Sequence, residues 1–137
     1  MPIEILQNGT NTGIGVRASS MERLFRDAAM GVMGILVDPT EIESRSSRVI
    51  SASAESTELL LVEFISELIS LVLLDGFAVL DIQIGEIDDG FIVADISGQR
   101  DMPANAIKME IQGVTCQWFE MAESCNSEWR TELIIIS

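Results

Sequence analysis

Histidine is absent from this chain, and lysine occurs once, at Lys108. Without imidazole there is no His-based catalytic triad, no imidazole general base and no histidine metal ligand. Cys116 and Cys125 are the only thiols, too few for a structural zinc site. A chain of 137 residues can bury a core without disulfide staples. Cys116 falls in an expected strand and Cys125 in the turn after it. A bridge between them would bend that strand back on itself, so two ordinary thiols and a cytoplasmic setting are expected. Aromatic residues make up 5% of the chain, so the core must come from Ile, Leu, Val and Met. Basic residues are scarce: Lys+Arg number 8 against 22 Asp+Glu, a net charge of −14. Such a surface repels phosphate backbones and acidic lipids, which argues against direct binding of nucleic acid or membrane. The acid surplus serves solubility; a basic protein partner or a salty habitat would also explain it. An Ile-rich core and 22% charged residues fit the habitat reading poorly. No long apolar run is unbroken. Leu59 to Leu74 is interrupted by Glu63, Ser66, Glu67 and Ser70, the pattern of an amphipathic core helix and not of a membrane span. The opening MPIEILQNGT has neither a basic start nor a long apolar segment, so no signal peptide is expected.

What is present reads as one domain over residues 1–137. Ile3 to Leu6 is an expected strand, Gln7 to Gly13 a polar loop, and Ile14 to Ala18 a second strand. Ser20 is a good N-cap for a helix over Met21 to Val37. Leu24, Ala28, Val32 and Ile35 form its apolar stripe, beside Phe25, Ala29 and Leu36. Asp38-Pro39 ends it, because the residue before proline avoids the helical region. A charged connector, Glu41 to Arg48, leads into a strand over Arg48 to Ala54. Ser56 or Thr57 caps the second helix, Thr57 to Leu74. There Leu60, Phe64, Leu68 and Leu71 share one face, while Glu55, Glu58, Glu63 and Glu67 mark the wet side. Asp75-Gly76 stops it, glycine supplying the left-handed turn. Phe77 to Ile87 and Phe91 to Ile96 flank Asp88-Asp89-Gly90, a hairpin signal. After a loop over Ser97 to Ala106, Lys108 to Met121 and Trp129 to Ile136 form another hairpin. The order predicts an α+β, two-layer sandwich: a mixed, mostly antiparallel sheet with two amphipathic helices on one face. Phe25, Ala28, Val32, Leu60, Phe64 and Leu68 are expected to be buried.

Chemistry-bearing motifs are few. Gly13-x-Gly15 lacks the context of a phosphate loop and reads as turn residues. Asp88-Asp89-Gly90 lacks the alternating acids and terminal glutamate of a calcium loop. Asp81, Asp95 and Asp101 could share a surface, but nothing in the sequence brings them together, and solvated positions are expected.

Several runs, in order along nearly the whole chain, resemble the archease family, small accessory proteins of RNA-splicing ligation. They are Ile14-Gly15-Val16-Arg17-Ala18; Met21-Glu22-Arg23-Leu24-Phe25-Arg26-Asp27-Ala28-Ala29 with Asp38-Pro39; and Leu60 to Leu68 followed by Gly76-Phe77-Ala78-Val79. Later come the Gly98-Gln99-Arg100-Asp101 loop, Ile107 to Thr115, and the closing Trp129 to Ile136. The resemblance implies the archease fold. It also implies a divalent metal held by one Asp in an early loop and another at the end of the final strand, with a Lys in a late strand. Here the loop His corresponds to Thr10 and the loop Asp to Gly13, or to Asn11 in a shifted register. The late Lys corresponds to Gln112 and the final Asp to Ile136. None of these carries the required charge, and hard cations want several oxygens, usually with carboxylates among them. Lys108 stands four positions before Gln112; if the two share a strand, it is about 13 Å away, too far to substitute.

The expectation is therefore a non-enzymatic archease-like accessory protein with no catalytic residues. Its vestigial site positions are Thr10, Asn11, Gly13, Gln112 and Ile136, with no cofactor or specific metal, only weak and diffuse divalent association. Its partner would be a protein, an RNA ligase being one candidate, and its oligomeric state is open. The alternative is a functional archease that activates a 3′-phosphate RNA ligase through a rearranged site. Neighbouring genes would help to discriminate between the two.

Overall fold

A computed structural model describes residues 3–8, 11–38, 40, 42–43, 46–88, 90–103, 106–108, 111–122 and 128–136; for 3–8, 11–12, 117–122 and 128 it describes the backbone alone. The elements run β1 (Ile3–Asn8), β2 (Asn11–Ala18), α1 (Met21–Leu36), β3 (Ser46–Ser53), α2 (Thr57–Leu73), β4 (Ala78–Ile87), β5 (Phe91–Gln99), β6 (Gly113–Ala122) and β7 (Glu128–Ile136). This is the element order expected from the sequence, and the fold is α+β.

Both helices begin on serine. The Ser20 hydroxyl accepts the Arg23 amide at 3.1 Å and the Ser56 hydroxyl the Leu59 amide at 3.2 Å, each satisfying one amide that helix geometry leaves unpaired. Val37 leaves the helical region and bridges Ile107, so α1 stops at Leu36. Gly76, at φ 67, makes the left-handed turn after α2. Phe25, Ala28, Val32, Leu60, Phe64 and Leu68 are all fully buried, as expected. The rings of Phe25 and Phe64 lie 6.4 Å apart and join the two helices. Among the described residues, no helix is long and apolar enough to cross a membrane.

The strands are antiparallel and divide into two sheets, β1-β2-β7-β6 and β3-β5-β4. α1 packs on β2, β4 and β7, and α2 on β6, β3 and β4, so each helix touches both sheets. Several local expectations are corrected. Gly13 and Gly15 are not turn residues; they lie inside β2, where β1 and β7 pair with them from either side and hold them extended. β5 continues to Gln99, through residues expected in a loop, because Gly98 and Gln99 pair with Val79 and Ala78. Gly98 is required there, since a Cβ would collide with the Ala78 carbonyl. Lys108 is not in a strand: β6 begins at Gly113.

Candidate functional site

The pairing of β2, β7 and β6 gathers most of the positions to which the sequence assigned a site. Gly13 stands opposite Ile134 and Thr12 opposite Ile135. Gly113 stands opposite Ile136, and the Gln112 amide donates to the Ile136 carbonyl at 2.7 Å. Continuing the β2–β7 register by one residue sets Asn11 beside Ile136. Asn11, Gly13, Gln112 and Ile136 therefore meet at one end of the four-stranded sheet. Thr10 lies outside the described residues.

Alternation along the strands decides which face these positions share. Ile14, Leu133, Ile135 and Val114 point into the core and are buried. Gly13, Ile134 and Ile136 belong to the opposite face, as does the backbone position of Asn11. Ile136 is 39% exposed. A carboxylate at 136 would thus meet water and not the sheet core. Gln112 is exposed. The described side chains at this end are an amide and a hydrocarbon, and Gly13 contributes none. This donor set does not fit a hard divalent cation, which draws its affinity from carboxylate oxygens. Among the described residues no cluster of three or more acidic or thiol side chains could hold a metal.

Lys108 lies elsewhere. Its Nζ donates to the Gly34 carbonyl at 2.8 Å and its amide to the Leu36 carbonyl at 2.9 Å. α1 has no basic residue in its last turn, so Lys108 supplies the positive charge that complements a helix C-terminus. Asp38 follows the same helix end. Its carboxylate accepts the Thr40 hydroxyl at 2.8 Å and the Thr40 amide at 3.0 Å. Those bonds, the hydroxyl's first, hold its pKa below the ordinary value, with Lys108 assisting and burial opposing.

The other acids that the sequence singled out are, among the described residues, structural or on the surface. Asp88 Oδ1 accepts the Gly90 amide at 2.8 Å, and the Asp88 amide donates to the Phe91 carbonyl at 2.9 Å. This is a hairpin turn, as expected; Asp89 lies outside the described residues. Asp81 and Asp95 share the outer face of the three-stranded sheet, and Asp81 is held by Arg26 at 2.9 Å. Asp101 is apart from that face, in the turn after β5, at φ 49. The Cys116 thiol lies 3.4 Å from the buried Thr131 hydroxyl; Cys125 lies outside the described residues. Sequence reasoning missed a groove along the outer edge of β4, floored by Ile84 and Ile87 and walled by Glu22, Glu86 and Asp88. Its sequence signal is weak: Gly85 interrupts an otherwise alternating strand.

Comparison with known proteins agrees with this architecture. The model of the Archease protein family (MTH1598/TM1083) matches residues 4–135. The chain is 26% identical over 127 residues to the protein archease of Thermococcus gammatolerans, covering 88% of this chain and 89% of that one. It is 23% identical over 137 residues to the protein archease of Methanosarcina mazei, covering 96% and 93%. The solution structure of Methanobacterium thermoautotrophicum protein 1598 superposes with a TM-score of 0.76 at 17% identity, over 99% of both chains; it has the same fold.

Proposed function

The chain belongs to the archease family, and from that membership we propose that it is a non-enzymatic, cytoplasmic accessory protein that docks onto a protein partner, an RNA ligase being one candidate. The proposal includes a degenerate metal site. The observation that carries it is the sheet end where Asn11, Gly13, Gln112 and Ile136 meet without a charged side chain among them. The fold around that end is intact, so a lost activity would come from neutral chemistry and not from a broken scaffold. The net charge of −14 supports a partner with a basic surface, as any enzyme that handles RNA must present. Against a rearranged but active site stands Lys108, whose ammonium is bound at the C-terminal end of α1.

The test is multiple-turnover ligation by the 3′-phosphate RNA ligase of the same source, with and without this protein. The expected result is no stimulation over the no-protein control. Stimulation dependent on Mg²⁺ or Mn²⁺ would mean that the protein is an active archease.

A further inference from the structure

We infer that the outer edge of β4 is a docking site for an extended, basic peptide segment of a partner protein, taken up by strand addition. This goes beyond the reading of the vestigial site, which lies in the other sheet.

The backbone supplies the first observation. β4 is an edge strand; among the described residues only β5 pairs with it. The Ile82 carbonyl points away from β5, because the Arg26 guanidinium reaches it from α1 and donates at 3.0 Å. In an antiparallel ladder alternate residues turn both amide and carbonyl to the same side. Ile84 therefore offers its amide and carbonyl to the outer edge as Ile82 does. Arg26 covers one carbonyl at one end of this stretch. Farther along, the edge opens into the groove.

The groove supplies the second. It measures about 400 Å³ and follows β4 past Ile84 and Ile87 to Phe91, which is exposed at the start of β5. Its charged walls are Glu22, Glu86 and Asp88, with no cation among them. Toward the start of α1 it meets a wider groove of about 700 Å³, where Arg23 and Asp95 lie. The charge of Arg26 is matched by Asp81 and Asp27. A peptide lying along β4 would direct alternate apolar residues onto Ile84 and Ile87. Its cations would lie near Glu86 and Asp88, away from Arg23. Main-chain pairing supplies affinity and the alternating side chains supply selection, the usual division in strand addition.

A second copy of this chain is the wrong occupant. It would bring the same acids to the same edge. The register shift between Ile84 and Glu86 also bends the strand, and bulged edges resist flat sheet-to-sheet pairing. A short, separate strand meets neither obstacle.

The probe is a short fluorescein-labelled peptide of alternating lysine and valine, titrated against the whole protein at low salt. Saturable binding is expected, with amide shifts concentrated between Ile82 and Phe91. Glu86→Lys with Asp88→Lys should weaken it roughly tenfold. A peptide with N-methylated alternate amides should fail to bind. Glu58→Lys with Glu63→Lys, on the exposed side of α2, should leave affinity within about twofold. Equal affinity for the N-methylated peptide would overturn the proposal, and so would an equal loss from the α2 reversals, which would reduce the effect to bulk charge. Absence of binding, or a dimer of the free protein that the Glu86→Lys and Asp88→Lys changes dissolve, would also overturn it. The shift map uses the unmodified protein, so the proposal stays testable even if a reversed variant does not fold.

Discussion

The Gln112 amide donates to the Ile136 carbonyl across 2.7 Å. That one bond fixes the approach to β6 beside the end of β7, and the adjoining β2 register brings Asn11 to the same place. Two positions almost at opposite ends of the chain become neighbours. The register also separates two alternatives left open by the sequence. Asn11 falls directly beside Ile136, whereas Gly13 stands opposite Ile134.

Paired carboxylates should therefore form a cation site more readily at 11 and 136 than at 13 and 136. Directly opposed residues hold their Cβ atoms about 5 Å apart, and diagonal neighbours lie about 7–8 Å apart. Asn11→Asp with Ile136→Asp should gain thermal stability on adding Mn²⁺, by mass action, and Gly13→Asp with Ile136→Asp should gain less. Each single change should do little, since the two groups act as a unit. A Mn²⁺-dependent rise in Tm would register the difference. Because Ile136 is 39% exposed, the acid should cost little stability without metal.

Phe64 should behave as a core anchor. It is fully buried and meets Phe25 across the helix interface, so Phe64→Ala should destabilise by about 3–5 kcal/mol. Urea unfolding checks this. A loss below about 1 kcal/mol would mean that the cavity collapses without cost.

Lys108→Met should weaken the end of α1 and leave the sheet end untouched. The substitution removes the bond to the Gly34 carbonyl and a positive charge at a helix terminus whose last turn carries none of its own. The expected loss is about 0.3–1 kcal/mol, diminished by salt. Hydrogen exchange should quicken in the last turn of α1 and not in β6.

Asp38 should titrate below its ordinary 3.8, and Thr40→Val should raise it toward that value, because the Thr40 hydroxyl is the largest cause of the shift. A depressed carboxylate stabilises the fold above its unfolded value, and that contribution is lost as pH falls through the folded one. The stability difference between the unmodified protein and Thr40→Val should thus be full at neutral pH and fade below about pH 3.8. Carbon-detected NMR titration of the Asp38 carboxyl reads the shift itself.

The helices were legible because their cause is local. Ser20 and Ser56 mark their starts, Gly76 the turn after α2, and the buried stripes follow the spacing of Leu24 to Leu36 and of Leu60 to Val72. The strands were legible as elements but not at their ends. Gly13, Gly15 and Gly98 read as turn or loop residues, and only pairing with partners distant in sequence holds them extended. The division into two sheets was likewise hidden, since the contact between β2 and β7 joins the two ends of the chain. The site positions could be named from the family likeness. Their convergence, the outward face of Ile136 and the role of Lys108 at α1 all depend on tertiary pairing.

The central claim, an intact archease fold whose metal positions are uncharged, is tested most directly by calorimetric titration of the unmodified protein with Mn²⁺, Mg²⁺ and Ca²⁺. The account predicts weak, unsaturated heats that vanish at moderate salt, as expected of a surface carrying −14. A saturable one-to-one site of micromolar affinity that survives salt and is lost on Asn11→Ala would contradict it.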